Sequence, residues 1–106
     1  MKIKNITMVN FMNHVDEIRV KKLPTVLSFA LKCNADELAK LVPAYREAHT
    51  KAEKEGAEAM RELITKEINV NIQTVKKDVF EKMDADSRFD ILSGFELEIL
   101  DFMIEQ

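Results

Sequence analysis

The stretch from Thr25 to Lys66 constrains this chain more than any other. It holds 42 residues with a single glycine and one internal proline, and is dense in Ala, Leu, Glu, Lys and Arg. As one continuous helix it would run about 63 Å at the standard rise per residue. A chain of 106 residues is expected to fold as a single domain, 1–106, whose core is too small to cover such a rod. The stretch must therefore bend or find a partner.

Within it, Leu27, Leu31, Asn34, Leu38, Leu41, Tyr45, Ala48, Ala52, Glu55, Ala59 and Leu63 recur in steps of four and three, a heptad-like seam interrupted by Asn34 and Glu55. The seam predicts a helix–helix contact between copies, with Leu27, Leu31, Leu38, Leu41, Tyr45, Ala48 and Ala52 at the oligomer or partner interface. A dimer is the favoured assembly. Asn34-Ala-Asp-Glu37 reads as a capping box that would restart a helix at Ala35. Pro43 removes a backbone donor and crowds the preceding turn, which costs roughly 3 kcal/mol in a helix interior. A bend is expected first at Pro43, with Asn34 and Gly56 as the other break points. The half beyond Pro43 carries small seam residues and mixed charges, so it is marginal alone.

Before this stretch, Met1 to Asn5 is a short extended segment. A helix starts at Asn5 or Thr7, either of which can cap its first N–H groups. Val9, Met12, Val15 and Ile18 give it an apolar stripe, widened by Met8 and Phe11, and Lys21, Lys22 and Pro24 mark its end. After Lys66 the period changes to two. Ile68, Val70 and Ile72 alternate with Asn69, Asn71 and Gln73, and Val75 closes the run, which predicts a strand apolar on one face. Its obvious local partner is the Lys2–Ile6 segment, and the other candidate is a second copy of the same strand. Lys76 to Met83 can form a short helix, and Asp84 to Asp90 a polar connection. Ser93-Gly-Phe-Glu96 is a second capping box, opening a helix with Phe95, Leu97, Ile99, Leu100, Phe102, Met103 and Ile104. That helix is apolar around most of its circumference and is expected to be the best-buried element. The fold class is α+β, mostly α: a long bent central helix, shorter N- and C-terminal helices and one short two-stranded β element.

Composition narrows the function classes. With 46% hydrophobic and 33% charged residues, the chain has the balance of a folded protein. Its net charge of -3 gives no overall attraction to nucleic acid or to an anionic membrane, and no apolar run reaches bilayer-spanning length. Cys33 is the only cysteine, which fits a reducing compartment, and the opening residues lack the apolar run of a signal peptide, so a cytoplasmic location is expected. Charge is uneven. Residues 1–24 carry five basic and two acidic side chains, while residues 76–106 carry four basic and nine acidic ones. Either the two ends attract each other, or the acidic end meets a basic partner.

The Lys2–Asn5 opening, the Lys22–Pro24 step, the long charged helix, the Glu67–Ile72 strand and the closing Leu100–Ile104 resemble, in order and spacing, a family of small phage and prophage proteins of Gram-positive bacteria. The resemblance spans nearly the whole chain and lends no catalytic residues. It implies an accessory protein acting in the host cytoplasm, whose partners are host or phage proteins.

No reaction signature appears in the residues. Asp84-Ala-Asp86-Ser-Arg-Phe-Asp90 has Arg88 and Phe89 where a calcium loop needs an oxygen ligand and a glycine. His14 and His49 lack metalloprotease spacing, Cys33 has no paired histidine, and Gly56 and Gly94 are isolated rather than part of a phosphate cradle. No catalytic residue, metal site or cofactor is assigned. Tyr45, Arg46 and His49 share one helical face and form the one speculative ligand contact. The expected function is non-enzymatic, through protein–protein interaction or self-assembly; the alternative is a small-ligand or nucleotide-sequestering counter-defence protein of phage origin.

Overall fold

In the computed structural model, which describes residues 1–105, strand β1 (Lys2–Lys4) leads directly into helix α1 (Asn5–Arg19). Asn5 begins the helix without capping it. Its side-chain amide donates instead to the Leu63 carbonyl oxygen at 2.9 Å, and its backbone N–H to the Lys66 oxygen at 2.9 Å. α1 buries Met8, Phe11, Val15 and Ile18, whereas Val9 and Met12 of the expected stripe are only half-buried, so the buried face is turned toward Met8 and Phe11.

The Thr25–Lys66 stretch divides into three helices: α2 (Thr25–Ala39), α3 (Val42–Glu55) and α4 (Ala57–Thr65). The first break falls at Lys40–Leu41, just ahead of Pro43. Proline there occupies the first turn of α3, where its missing N–H deprives no intrahelical bond. The second break is Gly56, at φ 112° and ψ -175°, a conformation that L side chains rarely adopt. There is no break at Asn34. The expected capping box does not form, because Asn34 lies in the middle of α2 with its side chain turned into the core, and Glu37 pairs with Lys40 at 3.3 Å.

α3 and α4 pack mainly on each other, and both return to α1 at their inner ends: Val42 and Tyr45 lie beside Met8 and Val9, and Leu63 lies beside Asn5. They form a helical hairpin with Gly56 at its tip. Only Ala52 is buried in α3, and no residue of α4 is. This arm makes the molecule elongated, 50 × 23 × 23 Å, with a radius of gyration of 15.2 Å. A compact chain of this length would have about 13 Å.

Strand β2 (Glu67–Asn69) pairs with β1, the expected local partner, in an antiparallel ladder that sets Ile3 opposite Ile68. The ladder is shorter than expected. Met1 and Val70 add one more exchange of backbone bonds, after which the chain leaves the pair. Alternation in burial continues through Val70 and Ile72 and then lapses, with Gln73 and Thr74 both exposed before the buried Val75. Strand β3 (Val75–Lys76) then pairs parallel with β4 (Ile104–Glu105).

Between these lie α5 (Lys77–Asp84) and α6 (Gly94–Leu100), the latter opened by the full Ser93–Glu96 capping box and continued by a 3₁₀ turn over Asp101–Met103. The C-terminal segment is not the best-buried element. Its helical run stops at Leu100 so that Ile104 can pair with Val75, and Phe95 is left more than half exposed. The deepest burial is in α1 and α2, joined by Leu100, Met103, Val75 and Met83 in one hydrophobic cluster. Phe11 meets Phe102 edge to face at 5.2 Å within it.

Candidate interaction surfaces

The expected interface seam is largely interior. Leu27, Leu31 and Leu38 are 0% exposed and belong to the chain's own core, so they cannot face a second copy. Ala52 is buried where α3 and α4 pack. Leu41, Tyr45 and Ala48 are half-buried. A seam of this spacing needs one covering layer, and α1 with the C-terminal segment provides it.

Of the three speculative ligand contacts, two share a cleft. Tyr45 and Arg46 line a hollow of about 240 Å³ with Met8, Val9, Met12, Asn13 and Val42. His49 is not in its lining; it pairs with Glu53 at 3.1 Å, with its ring 5.8 Å from that of Tyr45. Burial pushes the Tyr45 phenol above its ordinary pKa. Arg46 is thus the one cation facing the cleft, among mostly apolar neighbours.

A different surface gathers around the loop between α1 and α2. Val20, just past α1, is 84% exposed, and Val26 and Phe29 stand one turn apart on the outer side of α2. The loop is stitched to the start of α6. The Lys22 N–H donates to Asp90 Oδ2 at 2.7 Å, the Asp90 N–H to the Lys22 oxygen at 2.9 Å, and Lys21 Nζ to Glu96 Oε1 at 3.0 Å. These bonds bring Ile91 and Phe95 to the same end, where the Phe95 ring meets His14 edge-on at 5.1 Å. They also realise the expected attraction between the basic and acidic ends. Val20, Val26, Phe29, Ile91 and Phe95 are all more than half exposed.

A larger hollow, about 590 Å³, is an open groove between α5 and α6. Sequence reading assigned nothing to it. The signal was present as two matching stripes, 77-80-81-84 and 94-97-98-101, each mixing apolar and acidic residues at i, i+3, i+4, i+7.

Within the Asp84–Asp90 connection, Asp86 and Arg88 are closed on each other. Arg88 binds the Asp86 carboxylate through Nε and Nη2, the latter at 2.7 Å, and its backbone N–H donates to the same group. Among the described residues no three His, Cys, Asp or Glu side chains come together as a metal site requires, and no helix is long and apolar enough to cross a membrane. No known protein family, curated protein or solved structure matches the chain.

Proposed function

We propose that this chain is a non-enzymatic accessory protein of phage or prophage origin that works by protein–protein contact in the host cytoplasm, beginning with self-association. The observation that carries the reading is the apolar end. Val20, Val26, Phe29, Ile91 and Phe95 gather there around one loop, more than half exposed in a chain whose other large apolar residues, Met1 apart, are covered. Large apolar side chains left exposed at one end of a molecule mark a contact site. Its rim is close to neutral, since Lys21 pairs with Glu96, and Lys22 and Asp90, joined there through the Lys22 backbone N–H, bring one charge of each sign. A two-fold contact places like patches against each other, so a neutral rim suits a second copy better than a charged one would. The phage origin rests on the sequence resemblance.

Light scattering at micromolar concentration tests this directly. The expected mass is that of a dimer, and a strict monomer would overturn self-association. The nucleotide-sequestering alternative has less behind it. Its cleft, at about 240 Å³ with one guanidinium, lies below the usual range of ligand pockets, roughly 300 to 1,000 Å³. A thermal-shift screen with nucleotides would have to show stabilisation for it to stand.

A further inference from the structure

Nine acidic residues lie in the last 31 positions, 76–106, and the structure sorts them into two sets. Five have partners: Asp78 with Lys82, Asp86 with Arg88, Asp90 with the Lys22 N–H, Glu96 with Ser93 and Lys21, and Glu105 with the Thr74 hydroxyl. The other four, Glu81, Asp84, Glu98 and Asp101, accept no hydrogen bond and join no ion pair among the described residues. All four line the groove between α5 and α6. Phe80, Leu97 and Ile104 supply its apolar lining, and Lys77 is its single cation.

We propose that this groove receives a short cationic amphipathic helix from another protein. Three features fix the chemistry of the occupant. The first is charge. Four carboxylates against one ammonium leave the lining three negative charges in excess, which favours a cationic partner over a neutral or acidic one. The second is the apolar lining, which a purely electrostatic partner such as a free polyamine would leave uncovered. The third is shape. Each wall presents one helical face over about two turns, and a helix laid between two such faces meets ridges it can interdigitate with. Apolar side chains at i, i+3, i+4 and i+7 would cover Phe80, Leu97 and Ile104, with Lys or Arg flanking them toward the carboxylates. Gly94 has no heavy atom within 4 Å of where a Cβ would stand, so the wall beside it is open to an incoming side chain.

A second copy of this chain is a poor occupant. Its net charge is -3, and Lys21 is already joined to its own C-terminal segment. The inference rests on the interaction reading above but concerns a different face and a different partner.

The test uses the full chain and a fluorescein-labelled helical peptide with Leu at heptad seam positions and Lys elsewhere, followed by anisotropy at low and physiological salt. Binding is expected, weakening as salt rises. The paired variant Glu81→Lys with Glu98→Lys, one reversal in each wall at exposed mid-helix positions, should weaken it about tenfold or more. Glu47→Lys with Glu62→Lys on the hairpin makes the same change in net charge far from the groove and should leave binding within about twofold. A peptide with Ser in place of Leu should lose binding to the unaltered protein. No binding, equal weakening in the two paired variants, or undiminished binding of the Ser peptide would each overturn the proposal. Molecular mass measured on the same samples keeps the two readings apart. A dimer that ignores the peptide sinks the groove alone, and a monomer that binds it sinks self-association alone.

Discussion

Asn34 Nδ2 donates to the Gln73 carbonyl oxygen at 2.9 Å, and the Gln73 N–H donates to Asn34 Oδ1 at 2.7 Å, so one buried side chain takes the place of a strand partner. Asn34 is 0% exposed in mid-helix, and this two-bond clamp is what satisfies it. The clamp also joins α2 to the segment between β2 and β3, where the backbone has left its ladder. Asn34→Ala removes both bonds and opens a small void, and should destabilise by about 2–4 kcal/mol. Asn34→Asp keeps the acceptor but loses the donor to Gln73. A buried aspartic acid has its folded pKa raised above the unfolded value. The variant should therefore be least stable at neutral pH and recover as pH falls, when the protonated acid can donate again. Denaturant midpoints for both variants, taken at neutral and acid pH, decide the matter.

Gly56 and Gly94 should respond oppositely to alanine. Neither has a heavy atom within 4 Å of an added Cβ, so space does not separate them. Backbone does. Gly56 at φ 112° turns the hairpin, and Gly56→Ala should cost about 1–3 kcal/mol through strain. Gly94 opens α6 without a positive φ, and Gly94→Ala should be neutral or stabilise by up to about 1 kcal/mol. Thermal melts of the two single variants make the comparison.

The seam of the central stretch is core over α2 and surface beyond it. Leu38→Ala should therefore destabilise by about 2–5 kcal/mol, whereas Ala48→Ser on the half-buried hairpin should stay within about 0.5 kcal/mol. Chemical denaturation of both would expose an error in that division. Comparable losses at the two positions would mean that the hairpin is packed as tightly as the core.

What was legible in the sequence follows from how local its cause is. The bend ahead of Pro43 and the Ser93–Glu96 box rest on nearby residues, and the helical period of α1 and the choice of the Lys2–Ile6 segment as strand partner on a pattern with one period. Asn34 misled because Asn-x-x-Glu is a valid cap in isolation. Its partner Gln73 lies 39 residues away, and no local spacing reveals that bond. Gly56 was open for the same reason, since its φ is set by α4 folding back on α3. The surfaces were least legible. Val26 and Phe29 lie on the apolar-rich α2 like any core residue, and only the position of the covering layers leaves them outside.

Acid should loosen the start of α6 first. The Ser93 N–H donates to Glu96 Oε1 at 2.9 Å, and this bond, with help from Lys21 and against some desolvation, holds the Glu96 carboxyl below its ordinary range. Asp86 is lowered to about 2 by the Arg88 guanidinium and N–H. Both folded pKa values lie below the unfolded ones, so the folded state binds fewer protons. The stabilisation is complete above the ordinary carboxylate range and is lost as pH falls through the folded values, near 2 for Asp86. Glu96→Gln preserves the capping box and should flatten the acid limb of the stability curve. An unchanged limb, followed by circular dichroism, would remove Glu96 from the account.

The apolar end gives the sharpest link from surface to function. Replacing Phe29 and Phe95 together by Ser deletes the two largest exposed rings while touching no described hydrogen bond or ion pair, although Phe95 gives up its edge contact with His14. Stability should change by less than about 1 kcal/mol, because exposed side chains have little burial to lose. Self-association, by contrast, should weaken by more than about tenfold, since aromatic anchors carry a disproportionate share of contact energy. Sedimentation and thermal melting on the same variant separate the two effects. A variant that melts like the parent but no longer dimerises places the contact at this end, whereas one that dimerises undiminished moves it elsewhere, with the half-buried Leu41, Tyr45 and Ala48 of the arm as the next surface to alter.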